Sequence, residues 1–259
     1  MRYREFTPGP GASRLVECFW TLEGAAPGMV QRVVPDGRAE VILNLAEPFE
    51  ALDRDEWRTQ PQCFLAGQIT GPLLLRARGP SQIIGIRFRP GGVGQLLGVA
   101  ASEFTGRTID ARDLGLGSLR DAGSIGEAER ILLERERGTP DALVHHAARL
   151  LSENLEVAHV AAQLSLSTRQ LARRFQARVG IPPKHFARIA RFQRVFRAVE
   201  AGGSGWVEAA AECGYYDQAH LIRDFRELAG ETPTHLLAGD ELARHFLSHF
   251  SKTSRRARA

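Results

Sequence analysis

STRQLARRFQARVGIPP (residues 167–183) and DQAHLIRDFRELAGETP (residues 217–233) carry one skeleton twice, at an offset of 50 residues. Leu171, Phe175, Gly180 and Pro183 in the first are answered by Leu221, Phe225, Gly230 and Pro233 in the second. Both stretches predict a helix. Ser167 and Asp217 are N-cap residues, whose side-chain oxygens take up amides the first turn leaves unbonded, and Gln170 completes a capping box with Ser167. At about 100° per residue, Leu171, Phe175 and Arg178/Val179 share one side of the first helix, and Arg169, Arg173 and Gln176 fall in an arc opposite. In the second, Leu221, Phe225 and Leu228 face inward. Ala219, Arg223 and Arg226 face outward, with Gln218 near the N-terminus. An apolar face to seat the helix and long donors on the other side suit the major groove of duplex DNA. There an arginine can bridge guanine O6 and N7, worth about 1–3 kcal/mol of discrimination.

A shorter helical pattern precedes each stretch. Val157, Val160, Ala161 and Leu164 follow the i, i+3, i+4, i+7 rule, and Ser165-Leu166 makes a turn. Trp206, Ala209 and Ala210 form the matching packing side in the second unit, followed by a Gly214-Tyr215 turn. Measured from Ala161 and Ala210 to the caps, the second turn is one residue longer. These are two helix-turn-helix units. Between them Pro183 opens a long helix running to about Val199. Phe186, Ile189, Phe192, Val195, Phe196 and Val199 occupy one half of its wheel, and Lys184, Arg191, Arg194 and Arg197 much of the other. Such a linker fixes the separation of two reading heads. Heads roughly 34 Å apart would enter successive major grooves on one face of the duplex.

Charge follows the same division. Residues 1–150 hold 18 Lys and Arg against 19 Asp and Glu, whereas residues 151–259 hold 16 against 11. Ser167–Val199 contains nine basic residues and no acidic one, at helical spacing, which favours a phosphate-facing surface over a merely solvated one. The phosphate-contact candidates are Ser167, Arg174, Lys184, Arg191, Arg194, His220 and Arg226. His220 has an equal second reading, packing beside Tyr216.

Residues from about 141 to 238 resemble the DNA-binding domain of the AraC/XylS family of bacterial transcription regulators. The likeness rests on Ala161, Leu166-Ser167, Leu171, Phe175 and Gly180 through Pro183. In the second unit it rests on Ala210, Gly214-Tyr215, Asp217-Gln218, His220-Leu221, Phe225, Gly230 and Pro233. The resemblance implies base-contact positions at Arg169, Ala172 and Arg173, and at Gln218, Ala219 and Arg223. Gln176 joins them from its place on the outward arc. Ala172 and Ala219 cannot hydrogen-bond a base but can touch a thymine methyl. Leu236 stands where the family often has an aromatic residue.

The first 90 residues read as strands. Glu17–Leu22, Glu40–Leu45, Leu73–Arg78 and Ile83–Phe88 are short β-branched, aromatic and aliphatic runs. Pro35-Asp36-Gly37, Gly71-Pro72 and Gly79-Pro80 punctuate them. This predicts a small barrel or sandwich, followed by a short helix at Val93–Leu97. Pro35-Asp36-Gly37, Glu40–Asn44 and Phe88–Gly92 also resemble the β-rich sensory domain of a subset of the family. Helices follow at Glu127–Arg137 and from Asp141 to about Glu153, on either side of Gly138-Thr139-Pro140. Their apolar ridges suit either dimerisation or core packing.

The expected fold class is α+β: a β-rich N-terminal domain with trailing helices (1–139), then an all-α tandem helix-turn-helix domain (140–239). A basic tail (240–259) is expected to be disordered and to add unspecific DNA affinity. All eight histidines lie at or beyond His145, so the N-terminal domain lacks the histidine cluster a metal enzyme of barrel type needs. Neither an enzyme, a metal nor a cofactor is expected. Three isolated cysteines show no metal spacing, and Cys18 in an apolar strand reads as a small hydrophobe rather than a redox sensor. Trp20 and Arg87 are the effector-pocket candidates; for Arg87 and Arg89 solvent is the simpler reading. With no apolar run of membrane-spanning length and no signal-peptide pattern, a cytoplasmic location is expected. The expected function is a sequence-specific DNA-binding regulator under the control of an effector or partner at its N-terminal domain. Double-stranded DNA is the main partner, with a small-molecule effector, RNA polymerase for an activator, and a second copy as further ones. The alternative is a small-molecule-binding or catalytic N-terminal module with only a weak DNA tether.

Overall fold

Ten strands build the N-terminal half of the computed structural model, which describes residues 1–200 and 206–239. They are β1 (Arg2–Phe6), β2 (Val16–Glu23), β3 (Val30–Val33), β4 (Glu40–Asn44), β5 (Glu50–Asp53), β6 (Glu56–Thr59), β7 (Cys63–Ala66), β8 (Leu73–Arg76), β9 (Gln82–Phe88) and β10 (Thr108–Asp110). The larger sheet runs β1-β2-β9-β4-β7-β10 and the smaller β3-β8-β5-β6, with antiparallel pairing throughout. Neither closes on itself, so the expected barrel-or-sandwich resolves as a sandwich. Cys18, Trp20, Leu22 and Ile83 of the larger sheet meet Phe49, Ala77 and partly buried Leu75 between the layers. Gly85 is required in the central strand β9, because a Cβ there would lie 1.9 Å from the Trp20 indole.

The other face of the larger sheet is covered by helices. Phe19, Val41, Leu65, Ile86 and Phe88 pack with Leu96 of α1 (Gly92–Leu97) and with Ile131 and Leu132 of α2 (Ile125–Glu134). Three of the six strands not expected from the sequence share a physical cause. β1 alternates exposed and half-buried residues, and the β5–β6 hairpin is charged and mostly open to solvent. Such strands are stabilised by neighbours rather than by their own apolar runs.

From Pro140 onward the chain is helical: α3 (Ala142–Ser152), α4 (Val157–Gln163), α5 (Thr168–Val179), α6 (Pro183–Glu200), α7 (Trp206–Glu212), α8 (Gln218–Ala229) and α9 (Pro233–Gly239). α6 is the spine, with Phe186, Ile189, Phe192, Val195 and Phe196 all buried. The ridges of α2 and α3 are core and not an open dimer surface: Ile131 and Leu132 lie under the larger sheet, and Val144, Ala147 and Leu151 lie in the helical core. Basic tail residues 240–259 lie outside the described residues.

The two halves meet along the turn between β3 and β4. Val34 enters the helical core, Gln193 donates to the Pro35 carbonyl (2.7 Å), and Gly37 lies against the Phe186 ring. A Cβ at Gly37, where φ is +76°, would approach Phe186 to 2.9 Å. A side chain there is opposed by both the backbone and the contact.

Candidate nucleic-acid interface

Each recognition helix is locally well specified. Ser167 Oγ accepts from the Gln170 amide while Gln170 Oε1 accepts from the Ser167 amide, completing the capping box at α5. At α8 the Asp217 carboxylate accepts from the His220 amide at 2.7 Å. Both helices end on a glycine in the left-handed region, Gly180 (φ 102°) and Gly230 (φ 72°). The inward faces are buried as expected: Leu171, Phe175 and Val179 in α5, and Leu221, Phe225 and Leu228 in α8. Phe175 meets Phe186 edge-on at 5.3 Å. Phe225 sits among Phe192, Phe196 and Trp206 at 4.8, 5.1 and 5.4 Å between ring centroids.

Opposite those faces, Arg169, Arg173 and Gln176 of α5 and Gln218, Ala219, Arg223 and Arg226 of α8 are exposed; Ala172 is half-buried. Ser167 and Lys184 are exposed as well. Among the described residues Arg169, Arg173, Arg223 and Arg226 have no ion-pair partner. The remaining arginines of the helical half are engaged. Arg174 donates to Asp141 at 2.7 Å, and Arg178 lies 3.7 Å from the same carboxylate. Arg188 binds both Asp224 (2.6 Å) and Glu227. Burial pushes the Asp141 carboxyl upward, but the Arg174 hydrogen bond, the Val144 amide and nearby Arg178 outweigh it and hold the group below the usual carboxylate range.

Three of the phosphate candidates are placed differently from the helical-wheel reading. Arg191 does not lie on an open face: it reaches Asp224 (3.4 Å) and His220 Nε2 (3.2 Å) and stacks over the Tyr215 ring at 4.8 Å. Arg194 donates to the Ser152 carbonyl (2.6 Å) and Asn154 Oδ1 (2.7 Å). A wheel shows which side of α6 is polar but not that this side is roofed by the end of α3 and by the turn and recognition helix of the second unit. His220 packs against Tyr215 at 5.0 Å rather than against Tyr216.

Tyr216 is the residue that sequence reasoning missed. The amide of Leu166 bonds the Ala161 carbonyl, and that of Tyr215 bonds the Ala210 carbonyl, so these two residues correspond. Ser167 then caps α5 at once, whereas Tyr216 intervenes before Asp217. The extra residue of the longer turn is therefore Tyr216, and it is 93% exposed at the mouth of α8. The turn length was legible in the sequence, and the bareness of its added side chain was not.

The N-terminal candidates come together, but inside the protein. Arg87 is 3% exposed and its guanidinium meets Glu40 (2.8 Å), Glu5 (3.3 Å) and Asp36 (3.8 Å). It does not face solvent, because three carboxylates close around the single guanidinium. Trp20 Nε1 donates to the same Glu40 at 3.1 Å, and its ring stacks on Tyr3. Arg89 donates to the Ser13 carbonyl. Burial pushes the Cys18 thiol up to about 12, with Arg87 working against it, which disfavours the thiolate a redox sensor needs. An open cleft of about 320 Å³ lies instead between the halves, lined by Thr70, Ser102 and Thr105 on one side and Gln176, Gly180 and His185 on the other.

Residues 160–239, which hold both units, match the model of a helix-turn-helix domain. The chain is a DNA-binding transcription regulator whose helix-turn-helix domain is of the AraC type. Residues 4–110 of the regulator match a domain of unknown function, DUF6597. No curated protein matches it in sequence. Among solved structures, ToxT from Vibrio cholerae O395 is similar at 10% identity and a TM-score of 0.47, over 89% of this chain and 97% of that one. An apo variant of ToxT from strain SCE256 of the same organism is similar at 12% identity and a TM-score of 0.47, over 85% and 97%. Unsaturated fatty acid bound wild-type ToxT from that strain is similar at 11% identity and a TM-score of 0.46, over 84% and 94%. No helix among the described residues is long and apolar enough to cross a membrane.

Proposed function

We propose that the regulator reads two successive major grooves, one with α5 and one with α8, under the control of its N-terminal half. The carrying observation is the four exposed arginines, two per recognition helix, that have no acidic partner among the described residues, while the arginines around them are tied to carboxylates or to carbonyl oxygens of the protein. An exposed guanidinium held on a rigid helix without a competing carboxylate is ready to bind a base edge or a phosphate. Arg169, Arg173, Gln176, Gln218 and Arg223 are the base readers, with Ala172 and Ala219 in apolar contact beside them. Ser167, Lys184, Arg226 and Tyr216 border the groove and meet the backbone. Residues 140–239 form the reader. Residues 1–139 sense a small molecule or a partner and bind it without converting it, in the cytoplasm. A second copy and RNA polymerase are the protein partners such a regulator takes.

Selection of bound genomic fragments by the full-length protein, followed by footprinting at two salt concentrations, tests this reading. A reproducible motif with protection over about two helical turns per chain is expected. Protection of one turn only, or binding that is unspecific and lost at moderate salt, would overturn it.

A further inference from the structure

The two recognition helices end on equivalent glycine caps, and the N-terminal half holds both. At the first, Thr105 Oγ1 donates to the Gly180 carbonyl at 2.7 Å. At the second, Arg32 of β3 donates through Nη1 to the Ala229 carbonyl, the last of α8, while its Nη2 lies 3.3 Å from Glu231. Gly71 and Pro72, before β8, close on the same turn: a Cβ at Gly71 would lie 3.6 Å from the Glu227 carbonyl, and Pro72 lies beside Gly230. β3 and β8 are hydrogen-bonded neighbours, so the second cap rests on one end of the smaller sheet.

The two attachments differ in strength. α5 is also held by α1 and by the helical turn Ala101–Phe104: across that boundary Gly94 lies close to the Arg178 backbone and Gly180 close to Ala101 and Thr105. α8 has no comparable helical bed from the N-terminal half, and Arg32 supplies its hydrogen bonds to that half among the described residues. A helix's final carbonyls carry partial negative charge, so a guanidinium there is favoured electrostatically as well as by the hydrogen bond.

We propose that Arg32 is a positioning residue for DNA reading: from the smaller sheet it fixes where the second recognition helix stands relative to the first. This rests on the two-head reading above. A ligand or partner that shifts β3 and β8 would thereby change the spacing of the heads without touching either one.

The test compares full-length wild type with Arg32→Ala and Arg32→Lys. Spin labels at His159→Cys on α4 and Glu212→Cys on α7 report the separation of the two units without DNA; both positions are exposed, and the native cysteines are buried. A narrow distance distribution in the labelled parent, broadened by Arg32→Ala and partly restored by Arg32→Lys, is expected. Equal widths in all three overturn the proposal. Binding is then measured on an operator fragment recovered by selection, with its half-sites at native spacing and one base pair nearer or farther. The parent should lose about tenfold on either change, whereas Arg32→Ala should bind the native fragment about tenfold less tightly and discriminate spacing by about threefold or less. Full spacing discrimination in Arg32→Ala overturns the proposal. Recovery of no operator by the parent counts against the two-head reading instead, and the label distances still decide the role of Arg32.

Discussion

The two reading units share a backbone plan and reverse its wiring at one position. Three residues after the matched Leu171 and Leu221, α5 has Arg174 and α8 has Asp224. Arg174 points back to buried Asp141, the N-cap of α3, and is itself about half exposed. Asp224 is 2% exposed and collects Arg188, Arg191 and the Tyr215 hydroxyl (3.0 Å). The same place in the motif thus ties one head to the helix before it through a half-exposed arginine on a buried carboxylate, and the other to the spine through a buried network. A shared skeleton specifies the inward face of a recognition helix, and the chemistry that anchors each copy is left to vary.

The largest effect expected from this difference is on stability. Removing one partner of a buried ion pair strands the others, so Asp224→Ala should cost about 3–5 kcal/mol. Asp141→Ala loses a helix cap and leaves behind only arginines that solvent still reaches, and should cost about 1–2 kcal/mol. Urea unfolding of the two variants measures the gap, and equal losses would break the comparison. The acid response sharpens it. Asp141 has a lowered folded pKa, so its contribution is present above the ordinary carboxylate pKa of about 3.9 and is lost as pH falls through the folded value. The stability difference between wild type and Asp141→Ala should therefore be flat from pH 8 to about 5 and vanish only in stronger acid. A difference that changes between pH 6 and 8 would assign the effect to another group.

Base reading comes next. Arg173 and Arg223 are equivalent and both exposed, so each alanine substitution should cost about 1–3 kcal/mol on specific DNA and relax one or two base pairs. Affinity for random DNA should barely change. An equal loss on both kinds of DNA would reassign the arginine to the phosphate backbone. The spine gives the contrasting case. Because Arg191 and Arg194 are committed within the protein, replacing both with alanine should lower stability and leave the salt slope of binding near wild type. A slope reduced by about 2 would return them to the DNA.

Helices α3 to α8 were legible in the sequence to within a residue or two, because caps, glycines and a 3.6-residue period are local signals, whereas α9 was not expected. Ser167, Asp217, Gly180 and Gly230 stand where local chemistry requires them. Four strands were legible because their residues are apolar on their own account. Six were not: β1, β5 and β6 because their stability comes from sheet partners that periodicity does not show, and β3, β7 and β10 because runs of three or four residues are too short to display a period. The same limit governs side chains. Arg169 and Arg173 were placed by the wheel because solvent lies beyond their face, whereas Arg87, Arg191 and Arg194 were drawn to carboxylates and carbonyls supplied by distant segments.

The smallest expected effect concerns the one residue the second unit has and the first lacks. Tyr216 has given up almost no surface to the protein, so Tyr216→Ala should change folding stability by less than about 0.5 kcal/mol. Its position immediately before the cap of α8 places a phenol beside the groove that α8 enters, where the ring can lie on a sugar and the hydroxyl can donate to a phosphate. One neutral contact of this kind is worth about 0.5–1.5 kcal/mol, so affinity should fall a few-fold and equally across base sequences. Tyr216→Phe separates the two components: retention of wild-type affinity assigns the contact to the ring, and loss as large as that of alanine assigns it to the hydroxyl. Unchanged binding in both variants would make the longer turn a purely structural difference between the heads. It would also confine the asymmetry of DNA contact to the helices themselves, where Arg169 of α5 faces solvent at the position that α8 fills with Ala219.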